Sequence, residues 1–276
     1  MDWKFFCDRV TDAIWEAIKE TVGTEEAATK VARDKKNTKK IDALAEDTVI
    51  EYLKKEKMDV TLLSEEIGEI QIGSSPKYVV ILDPVDGTTN AIKGLPFFST
   101  SIAIAKGKRI EDLIIGYIRN YLTGEIFYVD EGGAFQNGKK CASSSCGVLR
   151  RALISIYTYN NVDYRVLRRI LMKIGKMRLF GAISIELAYV ACNKLDGLID
   201  LRGDLKISDI AASIILVKKA GGICSDMDGN PFTGNLDINE KYTIVAAGNQ
   251  VLYDAFMQIL DLEIGRSDDK LFLDKK

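Results

Sequence analysis

One stretch constrains this chain more than any other: Tyr78-Val79-Val80-Ile81-Leu82-Asp83-Pro84-Val85-Asp86-Gly87-Thr88-Thr89-Asn90. Its opening run, apolar or nearly so from Tyr78 to Leu82, suits a buried strand. Pro84 is expected to stop that strand. Two carboxylates then stand three positions apart on a tight turn. Gly87 admits close backbone approach or an unusual φ, and Thr88, Thr89 and Asn90 are residue types that begin a helix. A strand end, an Asp pair and helix-start amides therefore meet at one point. Carboxylates held that close repel unless a cation neutralises them. Oxygen-only donors favour a hard ion such as Mg²⁺, and free N–H groups beside it favour a phosphate. Taken alone, Asp-x-x-Asp is also an ordinary exposed Asp-Pro loop with a helix cap, because short motifs match by chance.

The totals narrow the function classes. Histidine is absent, which removes Ser-His-Asp triads, phosphohistidine chemistry and His-ligated zinc. Acid–base work falls to carboxylates, Lys, Tyr, hydroxyls or metal-bound water. The five cysteines, Cys7, Cys141, Cys146, Cys192 and Cys224, are odd in number and scattered. They read as reduced buried thiols, neither a disulfide frame nor a zinc cluster. None has Arg six residues later, so Cys-x5-Arg phosphatase chemistry is excluded. A net charge of −2 gives no basic field for nucleic acid. With no apolar run near membrane-spanning length and no signal-peptide pattern, the expectation is a soluble, cytoplasmic protein without a membrane partner.

Along the chain, residues 2–30 carry helical spacing (Trp3, Phe6, Val10, Ile14, Ile18). The charged run from Val31 to Lys40 reads as a solvated loop, with a flap over an anionic substrate as its functional alternative. A helix is expected from Ile41 to Lys57 and a strand at Val60–Leu63. Antiparallel strands follow at 99–105, 113–118 and 125–129. Gly133 to Lys140 nearly matches a P-loop, but Lys140 occupies the hydroxyl position, and Asn137-Gly138 is a hairpin turn signal. The Ser-rich stretch from Cys141 to Gly147 is the expected boundary between an N-terminal α+β domain (1–146) and a C-terminal α/β domain (147–262), with a charged tail (263–276). The second half alternates: strands at 152–156, 177–180, 197–201, 223–226 and 242–247, and helices at 162–174, 185–192, 208–220 and 249–260. That alternation predicts an α/β layer.

Asp83-Pro84-Val85-Asp86-Gly87-Thr88-Thr89-Asn90 resembles the metal-binding signature of the inositol monophosphatase and fructose-1,6-bisphosphatase superfamily, D-P-[IVL]-D-G-T-x-N. A second match is Ser208-Asp209-Ile210-Ala211-Ala212, similar to that family's W-D-x-A-A with Ser in place of Trp, followed by Ala220-Gly221-Gly222 and Asp226 through Gly229. Without the resemblance, Asp209 is simply a helix N-cap or first-turn acid. With it, a layered α-β-α-β-α sandwich and a homodimer are implied. The implied ligands of two or three Mg²⁺ ions are Glu65 (in Ser64-Glu65-Glu66), Asp83, the Val85 carbonyl, Asp86 and Asp209. Asp42, with Glu46 in a loose T-x-x-D-x-x-x-E context, and Thr88 are implied to orient and deprotonate the attacking water, with Glu65 as another contributor. The Gly87 and Thr88 amides, with Asp86, are implied to face the phosphate.

Substrate-facing positions implied by the resemblance are Arg178, Ile183 and Arg202. A guanidinium at position 202 suits a second phosphate, which favours fructose-1,6-bisphosphate, or its dual use with inositol-1-phosphate as in archaeal-type members. An ion pair of Arg202 with Asp200 or Asp204, or an ordinary surface Arg, stays open. A 3′(2′),5′-bisphosphate nucleotidase and a dimeric regulatory family member are the other readings.

Overall fold

In a computed structural model of the chain, residues 2–32, 37–157, 159–160 and 163–261 are described. The first unit pairs helices α1 (Trp3–Ile18) and α2 (Lys40–Lys55) over an eight-stranded sheet. Two short strands, β1 (Lys30–Ala32) and β2 (Asn37–Lys39), form a hairpin before α2. The sheet contains β3 (Val60–Ser64), β4 (Gly68–Ile72), β5 (Tyr78–Asp86), β6 (Ser99–Ala105), β7 (Leu113–Asn120), β8 (Glu125–Asp130), β9 (Gly133–Gln136) and β10 (Lys139–Lys140). Its spatial order is β10-β9-β8-β7-β6-β5-β3-β4. Among the described residues of this sheet, only β3 and β5 are parallel neighbours.

The second sheet runs β12-β11-β13-β15-β14. Its strands are β11 (Leu153–Tyr157), β12 (Lys176–Arg178), β13 (Gly197–Leu205), β14 (Ile223–Ser225) and β15 (Tyr242–Ala247). Helices α4 (Tyr164–Lys173) and α7 (Gln250–Asp261) share an apolar cluster with its outer face. Helices α5 (Ile183–Ala191) and α6 (Ile207–Lys219) fill the space between the sheets, while α3 (Thr88–Lys93) is a short turn of helix after β5.

The strand sequences dictate this layering. In β5, Val79 and Ile81 join the cluster around α5 and α6, whereas Val80 and Leu82 join the one around α1 and α2. In β15, Ile244 and Ala246 face α5 and α6, and Val245 and Ala247 face α7. Side chains alternate across a strand, so a strand covered on both faces must be apolar at every position. The continuous apolar runs follow, and the order is helices, sheet, helices, sheet, helices, the expected α-β-α-β-α sandwich.

Several local expectations are corrected. The N-terminal helix ends at Ile18, and the chain turns through Gly23 (φ +76°) into a 3₁₀ helix at Glu25–Ala28. The charged run is not simply a loop: Val31 and Ala32 pair with Thr38 and Asn37, and only residues 33–36 lie outside the described residues. Strand β4 is absent from the expected elements although Ile70 and Ile72 alternate with Glu69 and Gln71 and turn toward the α1–α2 cluster. Pro84 does not end β5. The strand continues to Asp86, and its register with β6 shifts between Asp83 and Asp86. A bulge is where a strand tolerates a residue without an N–H. The cysteines are not all reduced: Cys141 and Cys192 form a disulfide with Cα atoms 4.8 Å apart, while Cys7, Cys146 and Cys224 are free. The partners are 51 residues apart, and only the packing of α5 against the exit from β10 brings them together. The predicted helix start at Val162 and the tail 263–276 lie outside the described residues. No described helix is long and apolar enough to cross a membrane.

Gly116 on β7 sets how closely α6 approaches the first sheet. A Cβ there would stand 2.3 Å from the Ala212 carbonyl oxygen and 2.7 Å from Ile215 Cγ2. Gly116→Ala should destabilise the protein by about 1–3 kcal/mol, the usual cost of overpacking, as measured by chemical denaturation.

Candidate active site

The site lies where β3, β5, α3, α5 and α6 meet. Val60 pairs with Tyr78 and Ser64 with Leu82 in parallel, so Glu65 leaves β3 beside the end of β5, where Asp83 and Asp86 stand. Asp209 arrives from the first turn of α6, its Oδ2 accepting from the Lys206 N–H (2.8 Å). One carboxylate oxygen from each of Glu65, Asp83 and Asp209 lies within 4.8 Å of the others. Together with Val85, Asp86, Gly87, Thr88, Tyr157, Tyr159, Gly181, Ile183, Arg202 and Leu205, these residues line a cavity of about 210 Å³.

Asp86 is held differently from the other three acids. Its Oδ1 accepts from the Ile183 N–H (3.1 Å), and its Oδ2 accepts from the Ser184 N–H (2.8 Å) and the Ser184 hydroxyl. The start of α5 thus grips a β5 carboxylate across the two halves of the chain. Free N–H groups at a helix start favour an anion there. Gly87 is required beside it: φ is +81°, and a Cβ would meet the Phe97 carbonyl oxygen at 2.8 Å.

In the cavity wall, Thr88 Oγ1 lies 3.0 Å from Asp42 Oδ1 and 3.0 Å from the Val85 carbonyl oxygen, either of which can accept its proton. Asp42 is buried on α2. Burial pushes its carboxyl up to about 7, a rise the Thr88 hydrogen bond partly opposes. Asp83 is raised well above the ordinary carboxylate range by burial and by Glu65, Asp86 and Asp209. Burial takes Asp86 to about 7 against the Ser184 hydrogen bonds, and takes Asp209 to about 6 with Glu65 adding to the rise. Buried like charges of this kind call for a cation. The donors are all oxygen, from carboxylates with a backbone carbonyl beside them, which fits a hard divalent ion such as Mg²⁺.

The predicted substrate residues separate. Ile183 is buried in the cavity wall. Arg202 also lines the cavity, but its Nε and Nη2 hold both oxygens of the fully buried Asp200 (2.6 Å from Nη2 to Oδ2). Its guanidinium carbon rests 4.4 Å from the Tyr157 ring centre and 4.5 Å from that of Tyr159. The Asp200 pairing left open in the sequence is therefore the one formed, and it offsets much of the charge offered to a second phosphate. Arg178 is exposed on the edge strand β12, its Nη1 donating to the Met177 carbonyl, and it is outside the cavity lining.

Tyr157, Tyr159 and Leu205 were missed. The signal for the tyrosines was their spacing: two aromatics two residues apart at a strand end share a face. Glu186 was missed as well. Its Oε1 accepts from the Gly181 N–H (2.9 Å) and the Tyr157 hydroxyl (2.8 Å), and its Oε2 accepts from the Ser155 hydroxyl. A charged residue inside the apolar run from Ile183 to Ala191 was the available clue. Glu46, the acid of the loose T-x-x-D-x-x-x-E context, is buried and accepts from the Ser64 hydroxyl and the Ile67 N–H (3.0 Å).

The raised carboxyls make metal-free stability depend on pH. Asp42, Asp86 and Asp209 bind protons more readily folded than unfolded, so their contribution is present below about pH 4, near the unfolded values. It is lost as pH rises through about 6 to 7. In chelator, the Tm should fall between pH 5 and pH 8 by more than it does with Mg²⁺ present. Thermal melts at both pH values with and without the ion check this.

The Inositol monophosphatase family model matches residues 6–263. Over 272 aligned residues the chain is 36% identical to the fructose-1,6-bisphosphatase/inositol-1-monophosphatase of Methanothermobacter thermautotrophicus, covering 94% of this chain and 97% of that protein. It is 33% identical to the bifunctional NADP phosphatase/NAD kinase of Methanococcus maripaludis, covering 94% of this chain but 49% of that protein. Among solved structures, a hypothetical protein from Pyrococcus horikoshii with similarities to inositol-1 monophosphatase superposes with a TM-score of 0.81 at 32% identity, covering 93% and 97% of the two chains. The chain belongs to the inositol monophosphatase family.

Proposed function

We propose that the protein is a Mg²⁺-dependent phosphate monoester hydrolase acting on fructose-1,6-bisphosphate, inositol-1-phosphate or both. The observation that carries this reading is the convergence of Glu65, Asp83 and Asp209 beside a hydroxyl–carboxylate pair, Thr88 and Asp42. Glu65, Asp83, Asp86, Asp209 and the Val85 carbonyl would hold the metal. A divalent ion bound there supplies charge neutralisation and Lewis acidity toward the phosphoryl oxygens.

The chain's own groups then handle the proton. Thr88 donates to Asp42, which leaves a Thr88 oxygen lone pair for a water in the cavity. As that water attacks phosphorus, its proton passes to Thr88 Oγ1 and the Thr88 proton passes to Asp42. Burial disfavours the ionised carboxylate of Asp42, which makes it a readier proton acceptor than an exposed aspartate. The Gly87 and Thr88 amides, which no side chain caps, take phosphate oxygens. The relatives named for fructose-1,6-bisphosphate and inositol phosphate support this substrate class. The reading includes a small-molecule partner and a homodimer, with neither nucleic acid nor membrane.

A second reading, removal of a phosphate from a nucleotide, is favoured by the wall of Tyr157, Tyr159 and Arg202 and by the NADP phosphatase named among the relatives. Tyr159 keeps 43% of its surface exposed, leaving area for a planar base to stack.

Phosphate release from a panel of sugar, inositol and nucleotide phosphates, with and without Mg²⁺, tests both readings. Asp42→Asn should lower kcat at least about 100-fold, the usual worth of a positioned general base, with the Tm retained; wild-type turnover would remove Asp42 from the proton path. For the second reading, Tyr159→Ala should cut kcat/KM for NADP about tenfold more than for fructose-1,6-bisphosphate, the scale of one lost stack. Equal losses on both, or no release from NADP by the wild type, would discard it.

A further inference from the structure

Lys206 stands immediately before α6 and touches two of the converging carboxylates. Its backbone N–H donates to Asp209 Oδ2 (2.8 Å), and its Nζ lies 3.3 Å from Glu65 Oε1. The first contact fixes the main chain of Lys206 relative to α6. The second brings its ammonium onto a carboxylate oxygen of Glu65, the residue that follows β3. The lysine side chain is 21% exposed and that of Glu65 32%, so the pair sits at the rim, partly shielded from water. Neither residue type nor spacing marked Lys206 in the sequence, because a lysine before a helix is ordinarily a solvated surface group.

We infer that Lys206 is a built-in counter-cation that opposes metal loading and sets how much divalent ion the enzyme requires. This rests on the metal-site reading given above. Glu65 keeps 32% of its side-chain surface exposed, whereas Asp83 is buried, so an ion can reach Glu65 from solvent. An ammonium on the same carboxylate competes with that ion for electron density, and its charge repels a divalent cation throughout the approach. In the absence of metal the same ammonium relieves the repulsion between Glu65, Asp83 and Asp209. The flexible stem lets Lys206 withdraw when an ion enters. Lysine donates but never ligates, so its withdrawal costs the site no ligand. Lys206 is thus a positioning residue that trades metal affinity for a folded, charge-balanced metal-free site.

The test is direct binding of Mn²⁺ followed by electron paramagnetic resonance, with Mg²⁺ affinity from isothermal titration, on the full chain. Lys206→Met should bind either ion on the order of tenfold more tightly than the wild type, the effect of deleting one unit charge a few ångströms from the site. Lys206→Arg, which keeps the charge, should stay within about twofold. The Mg²⁺ concentration for half-maximal activity should fall in Lys206→Met in the same proportion. Unchanged or weaker ion binding by a folded Lys206→Met, as judged by its Tm in saturating Mg²⁺, overturns the inference while leaving the metal site intact. Failure of the wild type to bind Mn²⁺ at all overturns the metal-site reading, and this inference with it.

Discussion

The constraint on which the molecule depends is mutual repulsion among carboxylates that the fold refuses to separate. Glu65, Asp83 and Asp209 come from a strand end, a strand bulge and a helix start, and one oxygen of each lies within 4.8 Å of the others. Burial raises the energy of the ionised forms of Asp83 and Asp209, and the neighbouring carboxylates raise it again. Such an arrangement persists only if the surrounding packing over-determines it, and if a cation or protons relieve it.

The packing that does so is the double use of the central helices. Helices α5 and α6 are buried against the sheet of the first half of the chain while belonging in sequence to the second. Helix α6 delivers Asp209, and the close approach at Gly116 seats it. Helix α5 delivers no ligand of the converging set but grips Asp86 with two backbone N–H groups and a hydroxyl. Glu186, one helical turn on, holds the turn leading into α5 and the Tyr157 hydroxyl. The Tyr157 ring in turn supports Arg202, whose charge is offset by the buried Asp200. Asp86 and the Tyr157–Arg202 wall of the cavity are thereby linked through one helix.

Much of this was legible before any fold was known. Apolar runs such as Val79 to Leu82 announced strands covered on both faces, and Asn137-Gly138 announced a hairpin rather than a P-loop. The turn from Asp83 to Asn90 placed two carboxylates and a helix start at the end of one strand, and the structure adds Glu65 and Asp209 beside them. What escaped was of another kind. Pro84 was read as a stop because a proline cannot join a ladder, yet a bulge removes the need for its N–H. The Cys141–Cys192 bond, the Asp200–Arg202 pair and the burial of Glu46 are contacts whose partners could not be chosen from a single sequence.

By itself, then, the sequence determined the order of elements, the two-faced burial of the strands and the presence of hard-ion donors, because propensity, periodicity and ligand chemistry are local properties of residues. Only the tertiary structure decided which acids converge, that Arg202 is balanced by Asp200 while Arg178 lies outside the cavity, and that Lys206 reaches Glu65. Those outcomes depend on distances between segments far apart in the chain, and such distances are set by how helices pack between sheets rather than by any residue's own preference.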